Sequence, residues 1–223
     1  MKRRVSKNSP KRDKITIAIA CEDSSGGLEY IKSLIRSYGF NVSDTCSTKK
    51  HEIDPKNLVE IVKKSTSNYK FVFIDIDDNC KESKRKRLNE AVKIARDNDI
   101  CIFFSNECLE IWYLLHFQEV TNHMSRNIIF EKLIKHLKKK PLTKEQLKDL
   151  NKKSLKSINM YDILDNDERE IAYKRCKKMI KNNFSICEDV SMTLLCYLMD
   201  NLNSLREGKN LKCFPKYNLK DKK

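Results

Sequence analysis

Short apolar runs alternate with segments of helical periodicity through the first half of this chain. The runs at residues 15–21, 71–75 and 100–105 are rich in β-branched or aromatic residues, and a weaker, more polar strand pattern covers residues 41–48. The helical patterns between them cover residues 28–40, 57–65 and 84–98. Strands and helices that alternate at this spacing form parallel βαβ units. The sequence therefore predicts an α/β fold in which helices flank a parallel sheet, with a ligand site at the carboxyl ends of the strands.

The third apolar run ends in carboxylates. The stretch FVFIDIDDN (71–79) leads directly into Asp75, Asp77 and Asp78. Side chains alternate between the two faces of a strand, so Asp75 and Asp77 are predicted to project to the same side. Like charges held that close favour a bound cation, and hard oxygen ligands favour Mg²⁺ or Mn²⁺. The alternative is a solvated acidic loop after a buried strand, because Asp is common at such positions.

Another carboxylate ends the first apolar run. Glu22 follows ITIAIAC (15–21), more than fifty residues before Asp75. In a parallel sheet the carboxyl ends of the strands lie at one edge, so Glu22, Asp75 and Asp77 are expected to meet there. Three carboxylates at one edge could hold a divalent metal against a phosphodiester.

The second half of the chain is predicted to be helical. A buried helix is expected to begin with a cap at Asn106, with Glu107 and Glu110 in its first turn. No strand pattern is recognised after Gln118. The predicted organisation has four parts, which are a basic arm at 1–13, an α/β domain at 14–118, a helical region packed on it at 119–205, and a basic tail at 206–223.

The chain is strongly basic. Lys and Arg number 46 against 31 Asp and Glu, which gives a formal net charge of +15. This excess indicates a polyanionic partner, with nucleic acid favoured, although a Lys-rich face can also be merely solvated. The predicted phosphate contacts are Lys84, Arg85, Lys86, Arg87, Lys138, Lys139 and Lys140.

Cysteine spacing and hydropathy indicate the compartment. The nine cysteines are scattered, with no CxxC pair and no zinc-like spacing, which favours free thiols in a reducing cytosol. No apolar run approaches the length of a membrane helix. The sequence therefore predicts a soluble, cytoplasmic protein.

Three blocks of this sequence resemble known motifs. A Glu after the first strand and an Asp-x-Asp after a later one resemble the Toprim fold of topoisomerases, primases and nucleases. The blocks AIACEDSSGGLEY, VFIDIDD and SNECLEIWYLLHF more closely resemble the motifs of the RloB family, which includes AbiL-type abortive-infection proteins. The later segment AYKRCKKM and the helix predicted at 188–202 also match, so that the resemblance covers about residues 14–203.

The resemblance implies a bacterial anti-phage protein. It would be a Toprim-like, Mg²⁺- or Mn²⁺-dependent nuclease that cleaves RNA, plausibly tRNA, and works with an AAA or ABC-type ATPase of the RloA or AbiLi kind encoded beside it. The metal-binding positions it implies are Glu22, Asp75, Asp77 and Asp78. Glu110 and His116 match family positions of unassigned role, which makes them further catalytic candidates, and the oligomeric state is left open.

The first motif departs from the family pattern. Relatives usually continue as CEG-x-x-TE, whereas Asp23 replaces the Gly here, and Gly26 and Gly27 stand where Thr and Glu are expected. One candidate carboxylate is therefore lost, and either Asp23 or Glu29 could substitute for it. This departure favours the alternative function, a catalytically silent Toprim subunit that binds nucleic acid or the ATPase as a sensor or scaffold.

Overall fold

A five-stranded sheet forms the centre of the molecule. The computed structural model describes residues 15–46, 54–76, 82–142, 150–182 and 191–213. The strands within these ranges are β1 (Thr16–Cys21), β2 (Asn41–Cys46), β3 (Tyr69–Asp75), β4 (Cys101–Asn106) and β5 (Met192–Thr193). They lie in the order β2-β1-β3-β4-β5. The predicted α/β architecture, a mostly parallel sheet flanked by helices with a helical C-terminal region, is confirmed.

The first four strands are parallel to their neighbours, whereas β5 runs antiparallel to β4. Residues of β1 and β4 are buried along nearly their whole length. Continuous apolar runs of this kind are typical of parallel strands covered on both faces. The prediction that no strand follows Gln118 is wrong, because β5 lies at Met192–Thr193. A strand of only two residues is too short to leave a periodic signal in the sequence.

Helices cover both faces of the sheet. Those in the described ranges are α1 (Gly26–Ser37), α2 (Pro55–Lys63), α3 (Glu82–Asp97), α4 (Glu110–Leu115), α5 (Arg126–Leu137), α6 (Lys152–Leu155), a 3-10 helix (Met160–Asp162), α7 (Asn166–Asn182) and α8 (Leu195–Arg206). Helices α2 and α3 pack on each other and on the sheet, whereas α1 packs on β1, β2 and the 3-10 helix. Right-handed crossovers place α1 on the face opposite α2 and α3.

Local chemistry explains where α2 begins. Asp54 has an extended backbone, and its carboxylate accepts hydrogen bonds from the backbone N–H groups of Lys56 (2.9 Å) and Asn57 (3.2 Å). Pro55 occupies the first helical position, where its missing N–H costs no hydrogen bond. Arg87 of α3 donates to the other Asp54 oxygen at 2.7 Å, so this cap also joins the two helices.

Two predicted helix starts are wrong. The helical pattern predicted at residues 28–40 begins two residues too late, since Gly26 and Gly27 are already helical. The helix expected from an Asn106 cap begins only at Glu110, because Asn106 belongs to β4 and pairs with Met192. Glu107 therefore lies before the helix instead of in its first turn, whereas Glu110 is in the first turn as predicted.

The sheet reverses its winding direction between β1 and β3. The chain moves from β1 to β2 on one side, then returns to place β3 and β4 on the other side. Such a reversal leaves a crevice at the carboxyl ends of the two central strands, where ligands of open α/β sheets bind. Glu22 follows β1 and Asp75 ends β3, so both lie at this crevice.

The C-terminal half is tied to the sheet. Helix α8 packs on β4 and on α7. Cys101 of β4 forms a disulfide with Cys213. The scattered spacing of the cysteines does not predict this pairing, and the expectation of free thiols is wrong for these two residues. Cys21, Cys108, Cys176 and Cys196 are free and buried. In the described ranges, no helix has the length and apolar character needed to cross a membrane.

Candidate acidic site at the sheet edge

Glu22 and Asp75 meet at the carboxyl ends of β1 and β3. The backbone N–H of Glu22 donates to the carbonyl of Phe73 at 3.1 Å, which extends the pairing of the two strands past Cys21. In return, the backbone N–H of Asp75 donates to Oε2 of Glu22 at 3.2 Å. The convergence of these two residues follows directly from the parallel register.

Asp75 is also bound by two later parts of the chain. Its Oδ1 accepts a hydrogen bond from the backbone N–H of Leu109 at 3.0 Å. Its Oδ2 forms an ion pair with the guanidinium of Arg126, the first residue of α5, at 3.1 Å. The Asp75 side chain is 16% exposed, so solvent can still reach it.

Glu110 lies next to this pair, at the start of α4, and is almost fully buried. Burial raises the pKa of Glu110, and a hydrogen bond with the Cys108 thiol partly opposes that rise. Burial also raises the pKa of Asp75 well above its usual range, the charges of Glu110 and Glu22 raise it further, and Arg126 opposes them. The repulsion among these acids would be relieved by a bound cation.

Asp23 supports the backbone that follows Glu22. Its Oδ1 accepts from the backbone N–H and the hydroxyl of Ser25, at 3.0 and 2.7 Å, and its Oδ2 accepts from the N–H of Gly27 at 3.1 Å. These bonds satisfy N–H groups at the start of α1. Glu29 instead is exposed on α1 and pairs with Lys32 at 2.6 Å. Of the two proposed substitutes for the missing carboxylate, only Asp23 lies beside Glu22.

The remaining predicted ligands, Asp77 and Asp78, lie outside the described residues. Within the described part, no three His, Cys, Asp or Glu side chains converge closely enough to hold a metal ion by themselves. The donor chemistry nevertheless fits a hard cation, because Mg²⁺ is usually bound by one or two carboxylates, with water and substrate oxygens completing its shell. Glu22 and Asp75 provide two such groups.

The buried hydroxyl of Tyr113 is available to bind an ordered water molecule. Oη of Tyr113 is buried and has no hydrogen-bond partner in the described ranges. Burial raises the pKa of Tyr113, and the charges of Glu110 and Asp23 raise it further. Buried polar groups without a protein partner commonly bind ordered water.

His116 lies apart from the acids, at the opposite end of α4 from Glu110. Its Nδ1 is 2.9 Å from the carbonyl of Trp112, which indicates that Nδ1 carries the proton. Burial lowers the pKa of His116 to about 3, and the charges of Arg169 and Lys140 also lower it. His116 is therefore uncharged at neutral pH.

Two residues of the motif blocks join helices inside the core. The indole N–H of Trp112 donates to the hydroxyl of Tyr30 at 2.6 Å, and both side chains are fully buried. This bond connects α1, which follows Glu22, to α4, which begins at Glu110. The two residues thus fix the relative position of the segments that carry the carboxylates.

The predicted basic residues of α3 differ in their surroundings. Lys84 lies within α3, but its side chain is outside the described part of the structure. Arg85 is half-buried and Lys86 is exposed. Arg87 is exposed but pairs with Asp54, so part of its charge is used to join α2 to α3.

The second predicted cluster follows α5. Lys138 and Lys139 are exposed. Lys140 pairs with Glu168 of α7 and lies over the ring of Phe117, at 5.8 Å from its centroid. Because α5 rises about 1.5 Å per residue over its length, these lysines lie roughly 18 Å along the helix from Arg126.

Sequence reasoning missed the two cations at the acidic cluster. Arg126 contacts Asp75, and the charge of Lys156 lowers the pKa of Glu110. Both residues lie in a basic half of the chain, and no local pattern distinguishes them from its other Lys and Arg residues. Their position depends on how α5 and α6 pack against the sheet edge.

Comparison with known proteins identifies a family for this chain. A family model described as RloB-like protein matches residues 17–202 of the 223 residues. No curated protein and no solved structure matches the chain. The matched range contains Glu22, Asp75, Glu110 and His116, and it covers the sheet together with most of the helical half. The chain therefore belongs to the RloB-like family.

Proposed function

We propose that this protein is a metal-dependent, Toprim-like endonuclease of a bacterial anti-phage defence system, and that it cleaves RNA under the control of a partner ATPase. The observation that carries the proposal is the meeting of Glu22 and Asp75 at the point where the sheet reverses its winding. Membership of the RloB-like family supports the defence role.

Glu22 and Asp75 would hold the metal, together with Asp77 and Asp78 of the adjoining segment. A bound Mg²⁺ or Mn²⁺ would stabilise charge on the phosphoryl oxygens and lower the pKa of an attacking water. Arg126 and Lys156 would attract the substrate phosphate to this edge, since both lie beside the carboxylates. Asp23 would keep Glu22 in place through its bonds to the start of α1.

The Arg126–Asp75 ion pair favours a second candidate function. A guanidinium already neutralises one predicted metal ligand, and the first motif has lost the family's second Glu. A silent subunit that binds nucleic acid or the ATPase, without cutting, would need neither group. Metal-dependent cleavage by the purified protein distinguishes the two candidates.

The test is to express the protein with its neighbouring ATPase and to sequence RNA ends. The sequence contains no Gly-rich nucleotide loop of its own, so growth arrest and new RNA ends are expected only when both proteins are present. Asp77→Asn should abolish cleavage in Mg²⁺ while leaving the fold intact. Glu29→Gln is the matched control, because Glu29 is an exposed acid outside the cluster, and this variant should cut normally.

If Asp77→Asn cuts at the wild-type rate, the assignment of the site is wrong. If neither the wild type nor the Glu29→Gln control cuts RNA with the ATPase present, the silent-subunit function is favoured.

A further inference from the structure

We infer that residues 151–158 form a phosphate-binding rim of the acidic site, and that Lys156 contacts the nucleic-acid backbone next to the carboxylates. This inference rests on the proposed function, because it names the part of the same site that binds the substrate. The segment comprises Asn151, the short helix α6 and the turn that follows it. These residues form the basic rim.

One end of the basic rim is anchored to the start of α1. The carbonyl of Lys156 accepts a hydrogen bond from the backbone N–H of Gly26 at 2.7 Å. The Ser25 hydroxyl oxygen lies 2.7 Å from this carbonyl and 2.7 Å from Oδ1 of Asp23, so its one proton is shared between the two acceptors. A Cβ added to Gly26 would lie 2.6 Å from the carbonyl oxygens of both Lys156 and Ile158. Because those atoms belong to the backbone, they cannot move aside cheaply, and this close approach requires glycine.

The other end of the basic rim is anchored beside α5. The Asn151 side chain accepts from the backbone N–H groups of Lys153 and Ser154, at 2.8 and 3.1 Å, which completes a capping box at the start of α6. The ammonium of Lys152 donates to the side chain of Asn127 at 2.9 Å, one residue from Arg126. The rim thus spans from the residues after Glu22 to Asn127, which follows the arginine that pairs with Asp75.

The lysines of the rim face solvent at this position. Lys152, Lys153 and Lys156 are exposed, whereas Leu155 between them is buried and fixes the orientation of the segment. Lys156 lies beside the start of α1, because its carbonyl contacts Ser25 and Gly26, which follow Glu22 by three and four residues. Among the described residues, the Lys156 ammonium has no hydrogen bond or ion pair, so it can bind a phosphate without breaking a contact.

The Gly26–Gly27 departure from the family pattern therefore has a structural consequence. It removes a carboxylate from the first motif, and Gly26 at the same time allows a lysine-bearing segment to approach the cluster. Lys138 and Lys139 lie roughly 18 Å farther along α5 and would contact phosphates more distant from the carboxylates. The rim is the part of the basic surface that adjoins the acids.

The test is nucleic-acid binding by Lys156→Gln, measured without metal so that cleavage plays no part. The probes are unfractionated tRNA and a DNA duplex, each titrated with the full-length protein at several salt concentrations in the presence of EDTA. Removing one phosphate contact should weaken binding several-fold and reduce the slope of log affinity against log salt by about 0.7 to 0.9. A larger loss for tRNA than for the duplex would identify RNA as the ligand.

Lys93→Gln is the matched control, because Lys93 is an exposed lysine of α3 with no ion pair among the described residues. It should bind both probes as the wild type does. If Lys156→Gln shows the same affinity and salt slope as Lys93→Gln, or if the wild-type protein binds neither probe, the inference is wrong.

A second variant tests the anchoring. Gly26→Ala should displace residues 156–158 and weaken nucleic-acid binding as much as Lys156→Gln does. If Gly26→Ala does not fold, the result for Lys156→Gln decides the test. The outcomes also separate the two proposals. If Lys156→Gln binds nucleic acid as tightly as the wild type and still cleaves it, only the inference about Lys156 is wrong. If binding depends on Lys156 but the protein shows no metal-dependent cleavage, only the nuclease function is wrong.

Discussion

At the scale of single residues, Asp75 is the most constrained member of the acidic cluster. One oxygen accepts the Leu109 N–H, the other pairs with Arg126, and its own backbone N–H binds Glu22. A divalent metal and the Arg126 guanidinium would therefore compete for the same carboxylate. The positive charge that stabilises Asp75 in the absence of metal should oppose metal binding.

Arg126→Gln should bind Mn²⁺ more tightly than the wild type. Removing one positive charge a few ångströms from a divalent metal relieves roughly 2 kcal/mol of repulsion in a well-solvated site, which is about a thirtyfold change in affinity. Calorimetric titration of the RNA-free protein with Mn²⁺ measures this change. Arg36→Gln, an exposed arginine at the end of α1, serves as the control. Weaker binding by Arg126→Gln would instead mean that the guanidinium orients Asp75 for the metal.

His116 should make the protein sensitive to mild acid. Its pKa is about 3 in the folded protein, below the value near 6.5 of an unfolded chain. The unfolded state therefore binds more protons, so the stability present above about pH 6.5 is lost as the pH falls towards 3. Between about pH 6 and 4 this residue should reduce the free energy of unfolding by about 1.4 kcal/mol per pH unit.

Denaturant titrations of the wild type and of His116→Gln across this range measure the effect. The variant should show the shallower pH dependence, because Gln does not titrate. Parallel curves for the two proteins would contradict the assignment of a buried, neutral imidazole.

At the scale of elements, α5 connects the acidic site to the distant lysines. It begins at Arg126 beside Asp75 and ends before Lys138. The three lysines after it differ, because Lys138 and Lys139 are exposed whereas Lys140 pairs with Glu168 of α7. Charge reversal of all three would therefore mix a binding effect with a packing effect.

Reversing Lys138 and Lys139 to Glu, with Lys140 kept, should weaken RNA binding and flatten its salt dependence without lowering the melting temperature. Lys140→Glu alone should lower the melting temperature, because it places two acids at the contact between α5 and α7. Thermal unfolding and RNA titrations of the two variants separate these effects. Unchanged affinity and salt slope in the double variant would remove Lys138 and Lys139 from the binding surface.

At the scale of the whole molecule, elements of the helical half pair with and pack on the α/β half. Strand β5 pairs with β4, and α8 packs on the same strand. Helix α4, which carries Glu110, is buried along its entire length by contacts that include α5 and α7. The two halves therefore share one hydrophobic core.

A fragment of residues 14–118 should not fold by itself. It would lack α5 and α7, whose contacts help to bury α4, the helix that carries Leu114 and Leu115. The fragment is expected to aggregate, or to lack the cooperative unfolding transition that a chain of residues 14–213 shows by circular dichroism. A monomeric fragment with a cooperative transition would mean that the first half is an independent domain.

The sequence by itself determined the elements whose signals are local. Three uninterrupted apolar runs became β1, β3 and β4, because strands that are buried on both faces need apolar side chains at successive positions. Parallel connectivity then brought Glu22 and Asp75 to one edge. Only the tertiary structure decided which cations reach the acids. Arg126 is 51 residues from Asp75, and Lys156 approaches α1 because Gly26 leaves room for its backbone. Contacts of this kind depend on how helices pack, and local periodicity carries no information about them.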